Sequence, residues 1–243
     1  MTTTVYDKAK LLVSCDSRWS IPGDFGVLYV DEAPFQKIEV FRDNVFVFAG
    51  MAPGIDAWKK YLRMKAAGMQ VARPSLDGIA FCNAKIGCGT VLGYHEQDII
   101  LPGQAAMFTG TGSTHAARCW IANGCAKKAV QSAMAYDICS GGVVRHLELS
   151  TGEGNLIKCE GIESLNQAFL DKGMVMLNRH DQEKGAIPFK EAAALDPQVA
   201  ALYGMAANGS LREHVQAPCD AVFNKPTEED ERRVDEMLSK MFD

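Results

Sequence analysis

Met1-Thr2-Thr3-Thr4-Val5 opens the chain, and the other motifs are read outward from it. Removal of Met1, which a threonine at the second position permits, leaves Thr2 with a free α-amino group. That residue then carries a hydroxyl nucleophile and a general base on one Cα, because an ordinary α-amino group has a pKa of about 8 and accepts a proton near neutral pH. Three threonines followed by valine also fit the start of an ordinary β-strand. These residues alone leave both readings open.

The composition bounds the answer. The chain has 243 residues, 47% of them hydrophobic and 23% charged, enough to bury the core of one large domain or of a domain with an extension. A net charge of −5 argues against nucleic acid or an anionic membrane as partner. No apolar run reaches the ~20 residues of a membrane-spanning helix, and Met1 is not followed by a basic segment and an apolar stretch. The expectation is a soluble, cytoplasmic protein. None of the eight cysteines forms a C-x-x-C pair, so they are expected to be mostly buried small hydrophobes. His95, His115, His146, His180 and His214 show no metal-ligand spacing, and neither a metal nor another cofactor is expected.

Residues 2–6 and 10–15 read as two short strands joined by Asp7-Lys8-Ala9; Asp16 just past them reads as a cap or a surface charge, or else as a hairpin neighbour of the chain's first residue. Residues 19–34, with Pro22, Gly23, Gly26 and Pro34, read as a loop. Lys37-Ile38-Glu39-Val40 alternates as a strand does, with Lys37 on spacing alone a solvated edge charge, and Val45 to Gly50 is a fully apolar strand of the kind covered on both faces. Pro53-Gly54 opens a helix with Ile55, Trp58 and Leu62 on one face and Lys59 and Lys60 on the other, closed by Gly68. Residues 79–83 and 90–94 read as a hairpin, followed by a strand at 98–101. Phe108-Thr109-Gly110-Thr111-Gly112-Ser113-Thr114 is a glycine-punctuated strand-to-helix turn without the lysine of a phosphate loop or the spacing of a dinucleotide fingerprint. The helix after it breaks at Asn123-Gly124, resumes to Tyr136, and is rich in small apolar residues suited to lying on a sheet. Asp137 to Gly142 is a second tight turn before a strand at 143–149.

Taken in order, Thr2-Thr3-Thr4-Val5, Asp16-Ser17-Arg18, Lys37-Ile38, Phe48-Ala49-Gly50, Gly110-Thr111-Gly112-Ser113 and Asp137-x-x-Ser140-Gly141-Gly142 resemble the proteasome β-subunit and its bacterial HslV-like and ancestral-β relatives, the N-terminal-nucleophile (Ntn) hydrolases. The resemblance covers roughly residues 2–149. It implies an α+β fold, a four-layer αββα sandwich of two antiparallel sheets covered by helices. It also implies roles: Thr2 as nucleophile, Lys37 beside its hydroxyl, Asp16 orienting Lys37, and the Gly50 N–H as oxyanion donor. Thr111 stands where the family has a serine. Asp137 and Ser140 would support the amine and a nucleophilic water. Trp19 and Phe48 fall where the family shapes the pocket preceding the cleaved bond. Two aromatics there imply small substrate side chains or no peptide at all, or else simple core packing. The implied activity is that of a threonine peptidase or amidohydrolase acting on peptide or protein substrates. The implied partner is the protein itself, in a homo-oligomeric ring or helical assembly, with any unfoldase unspecified. The alternative is a catalytically inactive binding or assembly protein on the same fold, the state expected if Met1 is retained.

Residues 150–243 extend past the resemblance and are expected to form a mainly helical extension to the domain at 1–149. Helices are read at 162–170, 188–207 (broken at Asp196-Pro197), 211–215 and 228–241. The last has Thr227 as N-cap, acidic residues in its first turn, and Val234, Met237, Leu238 and Met241 on one face. That face needs a partner, either the chain's own core or a neighbouring subunit.

Overall fold

A computed structural model describes residues 2–177 and 185–242; Met1 and His180 lie outside the described residues. The chain opens with the expected hairpin, β1 (Thr4–Asp7) and β2 (Leu12–Cys15), paired from Thr4↔Cys15 to Asp7↔Leu12. The stretch read as a loop instead holds a second hairpin, β3 (Trp19–Gly23) and β4 (Gly26–Val30). Pro22 and the glycines sit at its tip, where few ladder bonds are required, and the buried residues of both strands carry the pairing. β5 (Ile38–Phe41) and β6 (Asn44–Met51) follow, then α1 (Ala52–Ala66) with Pro53 in its first turn. Lys59 of α1 does not face solvent: it is buried, its Nζ 3.1 Å from Glu39 and donating to the Gln36 carbonyl. β7 (Ile79–Lys85), β8 (Val91–His95), β9 (Ile99–Ile100) and β10 (Ala106–Thr109) lead to α2 (Ser113–Asn123) and α3 (Ala126–Tyr136), separated by Gly124 in the left-handed region. β11 (Arg145–Glu148) is followed by α4 (Ser164–Lys172), β12 (Met174–Leu177), β13 (Ile187–Pro188), α5 (Phe189–Ala193) and α6 (Pro197–Ala207). The chain then forms a 3-10 turn at Leu211–His214, β14 (Gln216–Ala217) and α7 (Glu228–Phe242).

Two antiparallel sheets result. The first runs β11-β2-β1-β10-β9; the second runs β13-β12-β4-β3-β14-β6-β7-β8, with β5 also on β6. Tyr6, Val13 and Met107 of the first meet Val45, Val47 and Cys82 of the second in the core between the sheets. The outer face of the first sheet, Val5, Leu12 and Phe108, packs under the alanine-rich sides of α2 and α3. The outer face of the second, including Phe46, Phe48 and Phe81, is covered by α1, α4, α5, α6 and α7. Helix, sheet, sheet, helix is the four-layer order the resemblance implies.

Most regular structure past residue 150 is helical, yet β12, β13 and β14 join the second sheet. Phe169, Phe189, Val199, Val234 and Leu238 share one core with Trp58 and Phe81. The apolar face of α7 therefore finds its partner within this chain. The three strands escape the sequence reading because runs of two to four residues carry no period.

Candidate active site

Thr2 lies two residues before β1, and Asp16 directly follows β2. Asp16 N–H donates to the Thr3 carbonyl at 3.1 Å, continuing the hairpin ladder and holding the Asp16 side chain beside Thr2. Lys37 enters from the other sheet, where its carbonyl accepts from Phe48 N–H at 2.9 Å and extends the β5–β6 pairing by one residue. The three side chains meet at one point. Thr2 Oγ1 donates to Asp16 Oδ1 at 2.6 Å and accepts from Lys37 Nζ, which also lies 2.9 Å from Asp16 Oδ1. Thr3 N–H donates to the same oxygen at 2.8 Å, and Asp16 Oδ2 accepts from Arg18 N–H at 3.0 Å and Gly141 N–H at 3.1 Å. Thr2 and Asp16 are 0% exposed and Lys37 2%. A buried ion pair is tolerated when its hydrogen-bonding groups are satisfied, and here the aspartate takes five such contacts.

The Asp137 turn reaches the neighbouring threonine. α3 ends where Asp137 N–H donates to Ala133 O at 2.8 Å. Ser140 Oγ donates to Asp137 Oδ2 at 2.7 Å and lies 2.8 Å from Thr3 Oγ1, so the Thr3 hydroxyl donates to it. Thr111 Oγ1 is 3.3 Å from the same carboxylate oxygen. Ser140 and Thr111 thus converge on the Asp137 carboxylate, and Ser140 ties this cluster to Thr3, one residue past the nucleophile candidate. Gly110 (φ +97) lies flat against Thr2, and a β-carbon there would strike the Thr2 carbonyl. The glycines of this turn serve close backbone approach to the chain start. Gly110 N–H donates to Asp98, whose carboxyl is pushed up to about 7 by burial, with the Asp220 charge adding to the shift.

Gly50, near the end of β6, has φ +112, and a β-carbon on it would collide with the Gly78 carbonyl. Trp19 and Phe48 are both buried. Trp19 borders the charge pair, its ring centroid 5.6 Å from Lys37 Nζ, and its Nε1–H donates to Phe35 O at 2.8 Å. Phe48 stacks on Phe46 at 5.5 Å in the core beneath α1. A cleft of about 480 Å³ opens beside the site, lined by Arg18, Tyr136, Asp137, Ser140, Gly141 and Met176 among others. Its lining includes neither Thr2 nor Lys37.

The residues the sequence reading did not assign are Thr3, Gly141, Asp98 and the extension segment near Gly50. Thr3 was the nearest to visible, since it alternates with Thr2 in a strand and must face a different group. Among the described residues, one cluster has cation-ligand geometry: His95, Glu96 and Asp230 each bring a donor atom within 4.8 Å of the others. His95 Nδ1 has no hydrogen-bond partner and lies 3.9 Å from Asp230 Oδ1, but Arg233 already brings its positive charge to that oxygen. Sequence spacing could not reveal a group that joins β8 to α7.

No family model matches the chain, and no curated protein does. Among solved structures, the chain is similar to eukaryotic HslV from Trypanosoma brucei, with 18% identity and a TM-score of 0.39 over 60% of this chain and 99% of that one. It is also similar to Thiobacillus denitrificans BPH in complex with Epoxomicin, with 16% identity and a TM-score of 0.37 over 62% of this chain and 100% of that one.

Proposed function

We propose that the protein is an N-terminal-threonine hydrolase of peptide or other amide bonds, active once Thr2 carries a free α-amino group. The observation that carries this reading is the single point where Thr2 Oγ1 meets both Lys37 Nζ and Asp16 Oδ1, buried at the junction of the two sheets. A cation against the hydroxyl favours its alkoxide form, and the aspartate holds the cation in place. In the first step the Thr2 α-amino group takes the hydroxyl proton and Oγ1 bonds to the substrate carbonyl carbon. The carbonyl oxygen becomes an oxyanion facing Gly50 N–H. The C–N bond then breaks, the amine leaves with the proton, and the acyl group stays as an ester on Thr2. Water attacks that ester, restores the hydroxyl and releases the acid. Ser140, bonded to Thr3 and held by Asp137, keeps the backbone beside Thr2 in register for this exchange.

Hydrolysis of small-residue fluorogenic peptides tests the reading. Activity from protein with Thr2 exposed, absent in Thr2→Ala and retained in part by Thr2→Ser, is the expected result. Equal activity of Thr2→Ala would overturn it.

A second reading, a binding or assembly protein that keeps the site without using it, is favoured by one observation: Thr2 is 0% exposed. Under that reading Thr2→Ala leaves function intact. In either case assembly with further copies of the chain, in the cytoplasm, is part of the proposal. No helix among the described residues is long and apolar enough to cross a membrane.

A further inference from the structure

β14 comes from near the end of the sequence, yet it lies between β3 and β6, two strands of the first quarter of the chain. Gln216 pairs with Ser20 on one side and with Met51 on the other, and Ala217 pairs with Gly50. β3 and β6 are not paired with each other. They form the two walls of a slot one strand wide, and residues 216–217 fill it.

The direction of the backbone groups shows what the filler meets. Met51 N–H donates to Gly78 O at 2.8 Å, on the β7 side, while Ala52 N–H donates to Val215 O at 2.9 Å, on the opposite side. Alternation along the strand turns Gly50 N–H toward β14, and Gly50–Ala217 is the pair that exchanges both N–H···O bonds. The amide assigned to the oxyanion thus faces the Ala217 carbonyl. Pro218, lacking an N–H, ends the pairing. Cys219 and Ala221 then pack on Ala49 and Ala80, and Asp220 N–H donates to the Asp98 carboxylate. Asp98 in turn holds Gly110, the residue pressed on the Thr2 carbonyl. The segment runs from its pairing with Gly50 to the Asp98 that holds Gly110, and leaves at Phe223, which is 83% exposed.

We propose that residues 215–219 are a built-in peptide that occupies the extended-peptide slot of the Thr2 site, and that a substrate or ligand peptide enters only by replacing this strand. The slot takes an extended backbone with a small side chain opposite Gly50, the position Ala217 now holds. Two paired residues, followed by an exposed turn at 223–225, make a short strand that can open locally without unfolding the sheet. This regulation rests on Thr2 being the nucleophile of an amide-cleaving site.

Two variants test it. Ser20→Cys with Gln216→Cys places two thiols directly across an antiparallel pair, within disulfide range, so oxidation locks the strand and reduction frees it in the same folded protein. Ala217→Glu forces a charge into a fully buried position and expels the strand. The probes are a fluorescent peptide carrying residues 213–221, read by anisotropy, and a peptide epoxyketone, read as Thr2 adduct by mass. A tethered strand competes at an effective concentration of order millimolar, so Ala217→Glu should bind the peptide about tenfold or more tighter than wild type. The oxidised double variant should bind none, and adduct formation should follow the same order. If Ala217→Glu fails to fold by circular dichroism, cutting an engineered protease site between Asn224 and Lys225 after folding provides the release. Equal peptide binding by oxidised and reduced double variant overturns the proposal, as does a folded released form with no gain. Adduct at equal rates in all forms also overturns it while leaving Thr2 as nucleophile. Peptide binding in the expected order without any adduct supports the slot and removes the nucleophile reading.

Discussion

At the scale of single residues, Lys37 and Asp16 are the most consequential pair. Each is buried, and each satisfies the other. Lys37→Ala leaves the Asp16 charge buried without its cation and should cost about 3–5 kcal/mol of stability. Asp16→Asn with Lys37→Met removes both charges, and its urea midpoint should lie closer to wild type than that of Lys37→Ala. The double variant should still fail to alkylate Thr2, which separates a structural role from a chemical one. Asp98 supplies a pH signature. Its carboxyl titrates near 7 in the fold, raised by burial first and by Asp220 second, against about 3.9 when unfolded. Between those values the native state holds a proton that the unfolded chain has lost, so this group lowers stability as pH rises from about 4 to about 7. Asp98→Asn should therefore raise the urea midpoint at pH 8, leave it nearly unchanged at pH 4, and flatten the profile between.

At the scale of elements, what the sequence reveals depends on how local the determinant is. Asp16 beside Thr2 is readable because a short hairpin fixes it, and Thr227 as the cap of α7 is readable from the acidic turn after it. The structure has Asp230 N–H donating to Thr227 Oγ1 at 3.2 Å and Thr227 N–H donating back to Asp230 Oδ2 at 2.8 Å, a reciprocal cap. Thr227→Ala should cost about 1 kcal/mol by urea denaturation. The β3–β4 hairpin was hidden because Pro22 and two glycines mark a turn without saying how long the flanking strands run. Lys59 was hidden because its carbonyl and carboxylate partners come from β5 and the residue before Lys37. The Asp137 turn was legible as a motif, but not its attachment to Thr3, which depends on the packing of α3 over β1. Gly110→Ala tests that packing: φ +97 and the collision with Thr2 should destabilise the fold by about 1–3 kcal/mol and displace Thr2.

At the scale of the whole molecule, the four layers follow from three separate apolar clusters, and residues past 150 complete the third. An apolar helix face such as that of α7 can be seen in a sequence; which surface covers it cannot. The same limit hid β14, whose two residues gain meaning only between β3 and β6. The proposed assembly with further copies belongs to this scale. Tyr136, 73% exposed, and Ile121, 67% exposed, are apolar groups on α2 and α3 open to a neighbouring copy. Sedimentation at micromolar concentration should give a multiple of the 26.4 kDa chain mass, and a monomer there would remove the assembly.

The central claim is that Thr2 is a nucleophile. The most direct measurement is the intact mass of the native protein with and without an epoxyketone or β-lactone, repeated on Thr2→Ala. The account predicts a mass lacking Met1 and a one-to-one adduct that maps to Thr2 and is lost in the variant. A mass that retains Met1, with no adduct even after the β14 strand is released, would contradict it.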